Sequence, residues 1–278
     1  MTSYCERARL AAALGAGVAT VLVASLVTEP AAGSYEQSDG RGGCRMYPIA
    51  HRGEHRNHDE NTIGAIKAVR RSEVDLRVTR DNHLILMHDR RLKRTTDGSG
   101  LVHRKPWRYI RRLDTEPHGG RVPTWRRVLD VAERQRLRLV VDIRNYNSYW
   151  SRPLLRQMAR EVRRHDLVDR LHFGGLGVLS ELTEVTPRLR TYWRSDRGDP
   201  VDAGEIRDRS ANAVVVPPRA ITERMVRNVN RGGFPLWSKR GKRPAQLSLT
   251  QHWNRLQRKG VQGTLVDRLQ RYRRWCGD

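Results

Sequence analysis

Cysteine is scarce in this chain. Its 278 residues include three, Cys5, Cys44 and Cys276, and no Cys/His spacing suits zinc. Acidic residues are few: 30 Asp and Glu stand against 54 Lys and Arg, for a net charge of +24. The basic excess forms no block and has little aromatic interleaving, which argues against a specific nucleic-acid surface. It leaves an anionic membrane surface, a phosphate-rich polymer, or Arg spread over every solvated face. Internal repeats and low-complexity tracts are also lacking. The length allows one large domain or two ordinary ones, with a real core.

What is present begins with a leader-like segment. Arg7 and Arg9 precede an uncharged apolar run from Leu10 to Val27, and small residues follow up to Gly33. A basic start, an apolar middle and a small-residue exit describe an export signal over residues 1–33, with Ala31-Ala32-Gly33 as the cleavage candidate. The 18-residue run 10–27 is also long enough for an uncleaved membrane anchor. Either way the remainder is expected to be secreted or extracytoplasmic. Removing residues 1–33 takes two Arg and two Glu, so the charge stays +24. Residues 34–46, polar and Gly-rich at first, read as a linker, and 47–278 as one domain.

From Tyr47 onward, short β-rich runs at 47–51, 73–78, 84–88, 137–143, 170–173, 189–193, 212–216, 234–237 and 263–266 alternate with helical spacing. Strand–helix alternation implies parallel β/α units. About eight units in some 230 residues predict an α/β fold, a (β/α)8 TIM-type barrel. The run 73–78 is joined to 84–88 only by the turn "TRDN", which predicts an extra β-hairpin; a short insertion, roughly 89–123, follows.

In such a barrel the chemistry sits at the C-terminal strand ends. His51 and Arg52 close the first strand, Glu73 and Asp75 ride on the second, and His88-Asp89 follow the third. Asp142 and Arg144 end the fourth, and Asp267 follows the last. Residues two apart on a strand share a face, so Glu73 and Asp75 repel unless a cation sits between them. With Asp142 they make three hard oxygen donors, the ligand type for Ca²⁺ or Mg²⁺. Two histidines suit a general acid and base. Arg52 and Arg144 suit a phosphate. The other histidines, His172 and His252 among them, read mostly as surface residues.

The stretches "HRG…ENT" and "EVDLRVTRDNHLILMHDRRLKRTTDGSG" resemble the glycerophosphodiester phosphodiesterases. That family's pattern is His-Arg-Gly, Glu-Asn-Thr, Glu-x-Asp, His-Asp and Leu-x-Arg-Thr-Thr, and the similarity extends over residues 47–269. The resemblance implies a metal-dependent phosphodiesterase barrel that releases glycerol 3-phosphate and an alcohol through a cyclic phosphate. It implies that His51 and His88 are the acid/base pair, and that Arg52, Arg144 and Trp237 meet phosphate and substrate. It implies that Glu73, Asp75 and Asp142 hold one divalent cation. Glu60 and Asn61 would fix the loop after Gly53, and Thr62 would start a helix.

The chain also departs from the pattern. Asp59 replaces a Pro, which implies a less rigid loop; Asp142 replaces a Glu; Arg144 replaces a Lys. The family's Thr-Val-Asn after the late Trp reads Ser238-Lys239-Arg240. The expected partner is a glycerophosphodiester met by a monomer, with an anionic wall polymer or membrane surface nearby. The competing expectation is a weak or inactive barrel that binds such polymers.

With Cys5 in the leader, two cysteines remain in an exported protein, where disulfides persist. Cys44 precedes the first strand, and the last helix runs back toward the same face of a closed barrel. A Cys44–Cys276 disulfide is therefore expected to staple the termini, stabilising by at most about 5 kcal/mol for so long a loop.

Overall fold

The computed structural model describes residues 44–144, 149–195, 201–239 and 248–277. The expected leader 1–33, most of the linker, and Arg240 lie outside the described residues. No helix among the described residues is long and apolar enough to cross a membrane.

These residues form nine strands. They are β1 (Tyr47–His51), β2 (Arg71–Val78), β3 (Leu84–Leu86), β4 (Arg138–Ile143) and β5 (Leu171–Gly174). Then come β6 (Arg190–Arg194), β7 (Ala213–Val216), β8 (Leu236–Lys239) and β9 (Gly263–Val266). Parallel pairing runs β1-β9-β8-β7-β6-β5-β4-β2, and β1 pairs with β2 to close the ring. The ring is the eight-stranded barrel. β3 lies antiparallel to β2, with Leu76 opposite Leu86, as the hairpin turn predicts.

The helices are α1 (Ile63–Lys67), α2 (Trp107–Ile110), α3 (Trp125–Arg134), α4 (Arg152–Arg164) and α5 (Leu179–Val185). They continue with α6 (Ala203–Asp208), α7 (Glu223–Arg231), α8 (Leu249–Arg258) and α9 (Leu269–Cys276). Side-chain caps start most of them. Thr62, Thr124, Ser151, Asp202, Thr222 and Ser248 each accept an N–H three residues on. Alternation along the strands divides the core. Val74, Leu76, Val141 and Ile143 face outward against α3 and α4, while Ile49, Val140, Tyr192, Val215, Trp237 and Leu265 fill the barrel. The insertion has its own small core, with Leu92, Val102, Ile110 and Leu113 against Ile85 and Met87.

The chain ends where it began. The Tyr272 hydroxyl donates to the Met46 carbonyl, and Cys44 and Cys276 are disulfide-bonded with their Cα atoms 5.4 Å apart.

Candidate active site

One rule places the polar groups that the barrel strands themselves send to the mouth. On five strands an apolar side chain fills the interior, and the residue two positions later stands one layer nearer the C-terminal end. The pairs are Ile49 then His51, Val140 then Asp142, Tyr192 then Arg194, Trp237 then Lys239, and Leu265 then Asp267. β2 contributes Glu73 and Asp75 to the same interior.

Glu73, Asp75 and Asp142 are all buried, and each offers an oxygen within 4.8 Å of the others'. Asp75 and Asp142 are direct partners in the β2–β4 ladder. Burial, then the Glu73 and Asp142 charges, push the Asp75 carboxyl up to about 7 against the pull of Arg52 and Arg144. Burial also opposes ionisation of Glu73, but Lys239, His51 and Arg52 outweigh it and hold that carboxyl at about 2. Asp75 Oδ1 is buried with no hydrogen-bond partner among the described residues. Three converging oxygens, one of them unsatisfied, are a donor set that fits a hard divalent cation.

The loop after β1 holds Asp75 in place. Arg52 and Asn61 adopt left-handed backbones, φ 61° and 58°, and Gly53 has φ 83°. A Cβ on Gly53 would lie 2.6 Å from that of Ala65, so both conformation and space require glycine there. Asn61 donates to Asp75 Oδ2 at 3.0 Å and accepts the Asp75 N–H at 3.0 Å. Asp59 does not loosen this loop, contrary to the expectation from a lost proline. Its buried carboxylate accepts from the Thr115 hydroxyl at 2.6 Å and from the His118 and Gly120 N–H groups at 2.9 and 3.1 Å. Hydrogen bonds across to the insertion replace the stiffness of a ring.

Each expected acid/base histidine has a carboxylate on Nδ1. His51 Nδ1 lies 2.6 Å from Asp267, and His88 Nδ1 lies 2.6 Å from Asp89. His51 Nε2 lies 3.7 Å from Glu73 Oε2. Burial, with Arg52 and Arg144 near by, pushes the His88 imidazole down to about 4 despite Asp89. An ionic chain links the two sides. Asp89 pairs with Arg94, Arg94 grips both oxygens of Glu60 at 2.7 and 2.9 Å, and Glu60 accepts from Arg52 at 3.1 Å. Arg52 Nε in turn lies 3.4 Å from Asp75. Arg77 donates to the His88 carbonyl at 3.1 Å. Arg144 pairs with Asp142 at 3.1 Å and reaches to 3.7 Å from Asp75.

Trp237 differs from expectation. It is 3% exposed, its indole N–H donates to the Tyr47 hydroxyl at 2.7 Å, and it meets His172 in a T-shaped contact at 5.1 Å between centroids. It fills the barrel one layer below the mouth, and the strand end belongs to Lys239. The Lys239 ammonium lies 3.0 Å from Glu73 Oε1 and 4.0 Å from Asp142 Oδ2. Arg194 lies 3.6 Å from Asp142. Sequence reasoning missed both cations because it ended β8 two residues early and β6 one early. Counting in twos from Tyr192 and Trp237 would have found them. His172 and His252 are buried rather than on the surface. Burial and the charges of Arg190 and Arg138 hold the His172 imidazole down at about 3.

The family model for the glycerophosphoryl diester phosphodiesterase family matches residues 51–270. The chain belongs to this family. A glycerophosphodiester phosphodiesterase of Caldanaerobacter subterraneus is 36% identical over 94 residues, 30% of this chain and 39% of that one. The first curated relatives are matched over 39 to 61% of their own length. Among solved structures, a putative glycerophosphodiester phosphodiesterase from Galdieria sulphuraria superposes with TM-score 0.73 at 15% identity, over 84% of this chain and 98% of that one. An Oleispira antarctica phosphodiesterase in complex with the product sn-glycerol-3-phosphate gives TM-score 0.67 at 16% identity, over 84% and 97%. These likenesses establish the fold, a TIM barrel.

Proposed function

We propose that the protein is a divalent-cation-dependent glycerophosphodiester phosphodiesterase, releasing glycerol 3-phosphate and an alcohol. The observation that carries this reading is a pair of carboxylate-backed histidines, His51 and His88, beside a buried triad of carboxylates with one unsatisfied oxygen. Family membership and the product bound by the Oleispira phosphodiesterase support the substrate class.

In this reading Glu73, Asp75 and Asp142 hold Ca²⁺ or Mg²⁺, which would supply neutralisation of charge on the phosphoryl oxygens. Arg52 and Arg144 orient the phosphate by charge-assisted hydrogen bonds. His88, neutral at physiological pH, takes the proton of the glycerol hydroxyl next to the phosphodiester. That oxygen bonds to phosphorus, the bond to the leaving alcohol breaks, and His51 gives the leaving oxygen its proton. Water then opens the cyclic phosphate with the two histidine roles exchanged. Asp89 and Asp267 fix the ring orientations throughout. Residues 1–33 serve as the export signal or anchor in the same reading, and the disulfide suits an oxidising compartment.

The test is release of glycerol 3-phosphate from glycerophosphocholine, with and without chelator. Release that chelation abolishes and Ca²⁺ or Mg²⁺ restores is the expected result. Full activity after exhaustive chelation would rule out the carboxylate triad as a required cation site. No release from any of a panel of glycerophosphodiesters would favour the polymer-binding alternative.

A further inference from the structure

We propose that Lys239 is a tethered counter-cation of the carboxylate triad, and that a divalent cation can enter only as its ammonium withdraws. This rests on reading Glu73, Asp75 and Asp142 as the cation site. Glu73 has two oxygens with different commitments. Oε2 accepts the Arg52 N–H at 3.2 Å and faces His51 Nε2 at 3.7 Å. Oε1 is the lobe left for a cation, and the Lys239 ammonium is on it at 3.0 Å. The same ammonium lies 4.0 Å from Asp142 Oδ2, so it reaches toward two of the three donors.

Its position in the fold makes this a property of the side chain, not of a passing contact. Lys239 is the last residue of β8 and shares the inward face with Trp237, so the backbone aims it into the barrel. A cation bound by carboxylate oxygens at about 2.0–2.6 Å would share Glu73 Oε1 with a like charge. Lysine can resolve that conflict, because its four-carbon stem is flexible and its ammonium is a point charge. The side chain is 22% exposed, so a route outward is open. The arginines of the mouth are not equivalent. Arg144 is held on Asp142 and Arg52 between Glu60 and Asp75, and neither donates a side-chain hydrogen bond to Glu73. Cation binding is thus an exchange of one positive charge for another. Its affinity is set lower than the three carboxylates alone would give.

Titration calorimetry of the chelator-stripped full chain with Ca²⁺ alone, and with Mg²⁺ alone, tests this. Lys239→Met is expected to bind the preferred ion at least about tenfold more tightly than the parent. It is also expected to melt lower than the parent when stripped and to gain more on adding the ion, since the ion then stabilises by mass action. Lys239→Gln should behave alike and serves if Lys239→Met fails to fold. Lys239→Arg, which keeps the charge, should show no gain. Equal or weaker affinity in the uncharged variants, with the parent binding normally, overturns the inference and leaves the cation site standing. No binding by parent or variants overturns both.

Discussion

At the N-terminal end of the barrel Tyr47, Val140, His172 and Trp237 line a small cleft of about 30 Å³ rimmed by Arg71, Arg138 and Arg170. At the C-terminal end of the same strands, Asp142, Lys239 and their neighbours crowd at least three negative and three positive side chains together. Two residues of β4 or β8 separate the regions. The difference shows what each layer is for. The floor is satisfied: the Trp237 N–H has its partner and apolar faces meet. The mouth is left unsatisfied, with Asp75 Oδ1 accepting no hydrogen bond among the described residues and its carboxyl resisting ionisation, and that is where a ligand has something to gain.

The sharpest way to break this contrast is at the mouth. His51→Ala and His88→Ala are each expected to lower turnover of glycerophosphodiesters by at least ~100-fold, the usual scale of general acid/base effects. Their melting temperatures should stay near the parent's, because both side chains stand at the open end. Near-parent turnover in either variant would remove that histidine from the chemistry.

The floor should respond in the opposite sense. Trp237→Ala is expected to cost about 3–5 kcal/mol of stability in a urea melt, the range for deleting a large core aromatic. Trp237→Phe should cost less, through the lost bond to Tyr47, and should leave KM within a few-fold of the parent. A large KM change in the folded Phe variant would return Trp237 to the substrate surface, where the sequence pattern put it.

A smaller effect distinguishes the layers by pH. His172 and His88 are held down at about 3 and about 4, against about 6.5 in an unfolded chain. Between those values the unfolded state takes up protons that the folded state refuses, so the two histidines' share of stability falls as pH drops below about 6.5, while Asp75, held up at about 7, contributes in the opposite sense. The stabilisation is fully present above that pH and is lost toward the folded values. Urea midpoints from pH 7 to 4, compared between parent and His172→Phe, should differ by the His172 share, the parent losing more stability than the variant as pH falls, with turnover at pH 7 unaltered. An equal loss in the two would show that His172 contributes no such share.

Much of this was legible in the sequence, and the gaps have physical causes. Strand cores were visible because β-branched runs such as "LVVDI" and "NAVVV" have no other home. Strand ends were not, because Arg194 and Lys239 look like the onset of a loop unless their inward face is counted. α3, α4 and α7 start at side-chain caps, Thr124, Ser151 and Thr222, the residue types that mark a helix start in a sequence. α5 follows Val178, which offers no side-chain cap, so nothing in "GVLSELTEV" marks its start. Glu73, Asp75 and Asp142 could be paired on paper through the period of two. The Asp59 tie to the insertion could not, since its partners lie 56 to 61 positions away and are mostly backbone.

The bond between Cys44 and Cys276 has a consequence beyond stability. With its ends joined 232 positions apart, the polypeptide of the barrel is a covalent ring. A single peptide bond hydrolysed anywhere between those cysteines opens the ring and releases no fragment. The two pieces, one carrying β1 and the other the C-terminal helix α9, stay tethered to each other until a reductant reaches the sulfurs.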